Sequence, residues 1–343
     1  MNKISLLVPL TFFMLIGATT SQQEQWTWLF TKKFSKQELQ SNKKRTSLIF
    51  CKKDVPEFNQ LIFSWNAFKP QSGHFSFYAQ VRDAKTKKWH DWHKMVDWGK
   101  SIAQSYCTKG TKTEYKHVRL EVPPHQLADG LRVKIISHNR ADLGVIHALS
   151  VNISNMAKFT LPSTTPQLPS LNIPNIPQQS QMILSHPRAE HMCSPTSCSM
   201  LVSYLNHKPI DSLSFAENVY DQGLDSFGSW PFNTAHAFEQ CGGAIYFQVT
   251  RLNSFYDLYA KLKQSIPVVV SVRGQLEGAP REYKNGHLIL VIGWDQQAHK
   301  IICHDPAFES NQTVPTCYNF NSFTKAWGRS HNLAYLAEKN THN

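Results

Sequence analysis

An antiparallel β-sandwich followed by an α+β domain is the architecture that three features of this 343-residue chain predict. The first is a period-two alternation of apolar and polar residues across 45–154, the mark of half-buried strands. The second is a proline-rich break at 155–177. The third is the order of elements after the break, helices first and strands afterwards, which is the α+β pattern. The length agrees with two domains of roughly 100–200 residues each, and an apolar content of 41% is enough for sizeable cores.

In chain order, the first segment belongs to neither core. Lys3 is followed by an apolar run over 4–16 and then by Gly-Ala-Thr-Thr-Ser. A short basic front, an apolar middle and small residues at the cut are the parts of a secretory signal peptide, placed at 1–20. The run is shorter than the roughly 20 apolar residues of a membrane span, and no later segment is long enough to cross a bilayer. The expectation is a secreted or periplasmic mature chain without a transmembrane segment. Residues 21–44 are polar and charged and read as a loose lead-in.

The sandwich follows at 45–154. Phe75, Phe77, Ala79 and Val81 alternate with Ser76, Tyr78, Gln80 and Arg82, and Val145, His147, Leu149, Val151 and Ile153 form another such row. Several short strands between turn residues fit a sandwich. Trp89, Trp92 and Trp98 are either a sugar-stacking face or core and rim aromatics. Pro162, Pro166, Pro169, Pro174 and Pro177 then interrupt a Ser, Thr, Asn and Gln background. Prolines remove ladder donors and favour extended backbone, so 155–177 reads as a linker.

The second domain spans 178–338. One helix is expected from near Ser194 to Leu205, a second from Asn233 to the Gly242-Gly243 stop, and a third from the capping-box-like Ser254…Asp257 to about Gln264. Strands are expected at 267–272, 287–293 and 300–305.

The formal charge is +12, with lysines clustered at 32–45 and 85–88. Such a surface either attracts anionic partners, such as envelope polymers, lipid head groups or acidic peptides, or is a solvated basic face with no dedicated partner. No nucleic-acid-binding motif is present. Seven cysteines are an odd number, so one thiol is left over even if six pair. Cys51 with Cys107 and Cys303 with Cys317 would keep bridges within domains, and a mostly reduced set of buried cysteines is the alternative.

The chemistry begins at "HMCSPTSCSM", residues 191–200. Pro195 suits the first turn of a helix, where a missing N–H costs nothing. This sets Cys193 at a helix N-terminus, where free N–H groups and the macrodipole favour a thiolate, the nucleophilic form. A nucleophile needs a base. His287 is singled out among 16 histidines by its context, "NGHLILVIGW", a glycine and then an apolar strand. The next strand ends in "HDPAF". A hairpin centred on Gln296 would set Asp305 directly opposite His287, where a carboxylate can orient the imidazole. Asp295 is the competing carboxylate, in the turn. Oxyanion donors are available in the Cys193 N–H and in the side chains of Gln178, Gln179 or Gln181.

Together "IPQQSQ", "MCSPTSCSML", "WPFNTAHAF", "IPVVVSVRGQLEGA", "NGHLILVIGWD" and "HDPAF" resemble the bacteriocin-processing type of cysteine peptidase, specifically its secreted stand-alone relatives. The resemblance covers roughly 174–330. It implies a papain-like fold, Cys193 as nucleophile, His287 as general base and acid, Asp305 as orienting carboxylate and Gln181 as oxyanion donor. Gln181 lies twelve residues before the cysteine, farther than in the peptide-exporter members. The implied substrate is a peptide or peptide-like amide, the implied cofactor none, and the expected state a monomer. The loop 273–286, with three glycines, is placed beside the cleft, and Trp230 and Phe232 at either the site or the core. A zinc site made of Cys, His and Asp lacks any close-spaced ligand pair. A binding protein on a degenerate peptidase scaffold is the rival reading, and the intact Cys, His and Asp set argues against it.

Overall fold

Apolar side chains on paired antiparallel strands organise the N-terminal half of the chain. The computed structural model describes residues 24–123 and 125–339; the stretch read as a signal peptide lies outside the described residues. On the strand His74–Asp83, Phe75, Phe77, Ala79 and Val81 are all buried. Its neighbour Ala128–His138 sets Leu131 opposite Val81, Val133 opposite Ala79 and Ile135 opposite Phe77. These two strands sit in a five-stranded antiparallel sheet with Ser47–Phe58, His93–Gly99 and Ala103–Ser105. A six-stranded antiparallel sheet orders Thr27–Lys33, Ile146–Ser154, Gln60–Ala67, Arg119–Glu121, Glu114–Lys116 and Thr108–Lys109. The two sheets meet through aromatic rings: Trp65 stacks on Phe77 at 4.5 Å between centroids and meets Trp98 edge-on at 5.5 Å.

One expectation changes here, and one open alternative is narrowed. The lead-in at 21–44 is ordered from Thr27: the first strand pairs with Ile146–Ser154, and the helix Lys36–Asn42 follows with a Ser35/Glu38 capping box. Its charged composition reflects a strand only partly buried, which hides the pattern that marks an interior one. The three tryptophans also separate. Trp98 is buried in the core, Trp89 lies beneath the Arg132 guanidinium at 3.8 Å, and the Lys134 ammonium sits over Trp92 at 4.5 Å.

The C-terminal half is built on an antiparallel sheet in the order Ile245–Arg251, Leu333–Lys339, Val268–Gly274, Tyr283–Asp295, Lys300–His304 and Pro315–Asn319. The helix Cys193–Asn206 packs on Tyr283–Asp295 and is buried on all sides from Ser194 to Ser203, as a central helix must be. The capping box at Ser254 and Asp257 starts the helix Phe255–Leu262 as expected. The other early helix is Trp230–Gln240, with Ser229 as N-cap and Pro231 in its first turn; Asn233 lies inside it and bonds back to the Phe227 and Ser229 carbonyls. The helices Ser212–Val219 and Phe320–Gly328 and the strands Ile245–Arg251, Pro315–Asn319 and Leu333–Lys339 were not expected.

Much of the proline-rich stretch is a strap rather than a free linker. Trp294 Nε1 donates to the Leu168 carbonyl at 2.9 Å, Leu171–Asn172 pairs with Trp294 and Gly293, and Ile173 and Ile176 are buried. A Cβ at Gly293 would lie 2.6 Å from the Leu171 carbonyl oxygen, so the strap requires glycine there. All seven cysteines are free thiols. Cys303 faces Thr316 and Cys317 faces Ile302, a one-residue offset that sends the two sulfurs to opposite faces. Cys51 lies on one edge strand of the five-stranded sheet and Cys107 just past the other edge.

The two halves are joined at a sheet edge. Ile245–Arg251 is the outer strand of its sheet and would present unpaired amides. The Asn66 side chain donates to the Phe247 carbonyl at 2.9 Å and accepts from its N–H at 2.7 Å. Ser64 Oγ accepts from the Val249 N–H at 3.1 Å, and Asn152 Oδ1 from the Arg251 N–H at 3.2 Å. Side chains of one half thus complete the hydrogen bonding of the other. Because Asn66 is fully buried, Asn66→Leu strands two main-chain groups and should lower the unfolding free energy by about 2 kcal/mol or more. Urea denaturation with an unchanged midpoint and slope would contradict this clasp.

Candidate active site

Cys193 is the first residue of its helix, immediately after Met192 at the N-cap. Its backbone N–H is among those with no intrahelical partner. The thiol is half-buried on the floor of a cleft of about 970 Å³. The helix is fixed against the strand behind it, with Ser197 Oγ donating to the Leu288 carbonyl at 3.0 Å. The strand neighbour of Leu288 is His287, whose imidazole sits beside the thiol, near enough for its charge to act on the sulfur. Its Nε2 lies 2.7 Å from Asp305 Oδ1. His287 and Asp305 are both buried.

The route by which Asp305 reaches His287 differs from the symmetric hairpin expected. The turn occupies 296–299, so Asp295 pairs with Lys300 and Trp294 with Ile301. Extended without interruption, that register would put Asp305 on the face away from His287. A β-bulge between Val291 and Gly293 shifts the pairing by one residue, to Leu290 opposite His304. Continued one step, it sets Asp305 opposite Ile289, on the same face as His287 and two residues along. The contact is therefore diagonal, not directly across. Asp295 stays in the turn, accepting from the Gln297 and Ala298 N–H groups.

Four donors converge on the Asp305 carboxylate. Oδ1 accepts from His287 and from the Ala307 N–H at 3.0 Å; Oδ2 accepts from Tyr283 at 2.7 Å and Tyr318 at 2.6 Å. Tyr283 also stacks on the imidazole, with centroids 4.0 Å apart. Neither tyrosine was singled out in the sequence. Tyr283 lies four residues before His287 on one strand, hence on the same face, whereas nothing local distinguishes Tyr318.

The charges follow from these contacts. Burial alone would raise the Asp305 carboxyl, but the His287 charge and the hydrogen bonds of His287, Tyr318 and Tyr283 hold it below the usual carboxylate range. Burial alone would lower His287; the charges of Asp305 and of the Cys193 thiolate outweigh it and raise the imidazole to about 9. For Cys193, burial favours the thiol, yet the His287 charge and hydrogen bond and the Leu288 N–H lower it below the ordinary thiol value, with the Asp305 charge opposing. The arrangement supports a thiolate–imidazolium pair. Cys198, in contrast, is buried among apolar neighbours, and its thiol is raised.

Gln181 is fully buried and does not line the cleft. Its backbone N–H bonds the Pro306 carbonyl, and its Nε2 donates to the Ala189 carbonyl at 3.1 Å, in the turn just before Cys193. Gln179 is engaged elsewhere, with the Ile210 carbonyl and Ser212. The 273–286 segment borders the cleft through Arg273 and residues 281–286, and Trp230 lines it, whereas Phe232 is core against Trp65.

Residues 170–335 match the model of the family described as the Peptidase_C39 like family, a span running from the strap into the last strand. Among solved structures, a C39-like peptidase from Bacillus anthracis is 16% identical, with a TM-score of 0.39 over 50% of this chain and 99% of that one. Xylellain, a cysteine protease from Xylella fastidiosa, is 11% identical, with a TM-score of 0.34 over 53% of this chain and 91% of that one. No curated protein matches the chain.

Every partner of Asp305 donates to it, so an asparagine there always turns its NH₂ toward a donor. Asp305→Asn should cut turnover of a mixed peptide library by about 10²–10⁴-fold, and the alkaline limb of its pH–rate profile should move down from about 9. A limb that stays in place would mean that Asp305 does not hold the imidazole proton.

Proposed function

We propose that this chain, whose C-terminal domain is a cysteine peptidase of the C39-like family, is exported and hydrolyses peptide or related amide bonds through Cys193, His287 and Asp305. The observation that carries the reading is the contiguous relay from thiol to imidazole to buried carboxylate at the floor of the cleft. Export rests on the sequence of residues 1–20. The paired N-terminal sheets are read as a β-sandwich accessory domain.

The Cys193 thiolate attacks the substrate carbonyl carbon, and its electron pair moves onto the carbonyl oxygen. The Cys193 N–H, free at the start of the helix, faces the developing charge. Gln181, the second donor implied by the resemblance, is buried off the cleft with its Nε2 on the Ala189 carbonyl, and has no part in this step. Asp305 keeps the imidazole protonated and oriented, so His287 donates its proton to the leaving amine as the C–N bond breaks. The amine departs and a thioester remains. His287, now neutral, takes a proton from water, whose oxygen attacks the thioester carbon. Collapse releases a carboxylic acid and restores the thiolate–imidazolium pair.

Activity should rise with pH as Cys193 ionises and fall as His287 loses its proton near 9, because the departing amine needs that proton. Cys193→Ala should abolish turnover of peptides and cell-wall fragments, read as new termini by mass spectrometry, while circular dichroism and Tm stay near those of the wild type. Residual turnover in that variant would remove the mechanism.

A further inference from the structure

The cleft is walled from both halves of the chain. The strands Glu114–Lys116 and Arg119–Glu121 of the six-stranded sheet form a hairpin whose tip, His117 and Val118, lines the cleft with Arg119. His117 has φ 45° and Val118 φ 58°. A β-branched residue in the left-handed region is strained and persists only where its surroundings impose it; Val118 is buried there. The hairpin thus holds Arg119 in place, its guanidinium 5.6 Å above the Trp230 ring.

Arg119 meets three more arginines. Arg251 is buried and spends its hydrogen bonds on neutral acceptors: Gln60 Oε1 and the Ser330 and His331 carbonyls. Arg273 donates to the Lys284 carbonyl at 3.1 Å, and Arg329 donates to the Arg273 carbonyl at 3.2 Å. Among the described residues none of Arg251, Arg273 and Arg329 has an ion-pair partner, and the Arg119 Nε is buried without a hydrogen bond. Among the described residues the one carboxylate that pairs with any of the four is Glu121, 3.5 Å from Arg119 and shared with Lys116 at 3.8 Å. The other cations of the cleft are matched: Arg188 by Asp225, Arg281 by Glu190 and Lys284 by Glu282. The excess charge is therefore confined to one end, and its effect is seen in His331, where burial together with Arg251 and Arg119 pushes the imidazole down to about 4.

That end lies on the histidine side of the cleft. Arg273 directly follows Val272, the strand partner of His287. The imidazole protonates the leaving amine, so the C-terminal part of the substrate runs toward this side. We propose that Arg119, Arg273 and Arg329, backed by Arg251, form a subsite that binds a carboxylate on the C-terminal side of the scissile bond. The N-terminal half is then part of the specificity machinery. This rests on the peptidase reading above. The carboxylate has two sources, an acidic side chain or the free C-terminus of a short peptide, and both offer two oxygens to guanidinium donors.

The test uses the full-length chain and matched peptides carrying Glu or Gln after the scissile bond, each with a free or an amidated C-terminus. Affinity is measured on Cys193→Ala protein and kcat/KM on the otherwise native enzyme. The acidic member of at least one pair should be favoured about 10-fold to 100-fold, the range for hydrogen bonds to a charged group, and the preference should shrink with salt. A Glu/Gln difference identifies the side chain, an acid/amide difference the terminus. Arg273→Glu, on an exposed side chain, should abolish or invert the preference, and Arg119→Ala should weaken it. Equal affinity and equal kcat/KM across both pairs would overturn the subsite. Retained preference in binding without any turnover would instead overturn the peptidase reading and leave the subsite standing.

Discussion

A carboxylate without water organises the C-terminal half of this molecule. Asp305 has no exposed surface, and an ionised group in that position is tolerated only if its lone pairs are filled. They are filled by an imidazole, a backbone amide and two tyrosine hydroxyls from three separate places in the chain. Satisfying that charge fixes the strand Tyr283–Asp295, the Asp305-Pro306 turn and the strand Pro315–Asn319 relative to one another. The same contacts keep His287 protonated, and a protonated imidazole is what stabilises the Cys193 thiolate. Stability of the fold and readiness of the thiol are two consequences of one buried charge.

The second constraint is the edge of the sheet that carries this site. An outer strand with free amides would invite association with another chain. Here Ser64, Asn66 and Asn152 cap it with their side chains. Arg251, at the end of the same strand, reaches both Gln60 in one half and the Ser330 and His331 carbonyls in the other. The clasp brings the hairpin at 117–118 to the mouth of the cleft. One interface thus removes an aggregation-prone edge and completes the wall of the site.

Much of this was legible in the sequence, and the parts that were not share a physical cause. Cys193 stands out through Pro195 in the first helical turn, His287 through Gly286 and the apolar strand, and Asp305 through its place at the strand end. A symmetric hairpin also brings His287 to Asp305, whereas the structure reaches the contact through a bulge near Ile292. Nothing in "HLILVIGWD" announces that bulge, and the two registers agree only because both keep the residues on one face. The strands Ile245–Arg251 and Leu333–Lys339 escaped notice because they are buried on both faces, which erases alternation. Thr27–Lys33 escaped for the opposite reason, since its charged side chains sit on a mostly half-exposed strand. The arginine cluster is invisible locally: its four members lie far apart in sequence and converge only through the clasp.

The mechanism depends most directly on the ionisation of one sulfur. Ultraviolet titration of thiolate absorbance, recorded as the difference between wild type and Cys193→Ala, measures it without a substrate. The predicted result is a thiolate that forms clearly below the ordinary thiol range. A difference signal that appears only in or above the ordinary range would show an un-ionised thiol beside the imidazole, and would contradict the relay from Asp305 through His287 to Cys193.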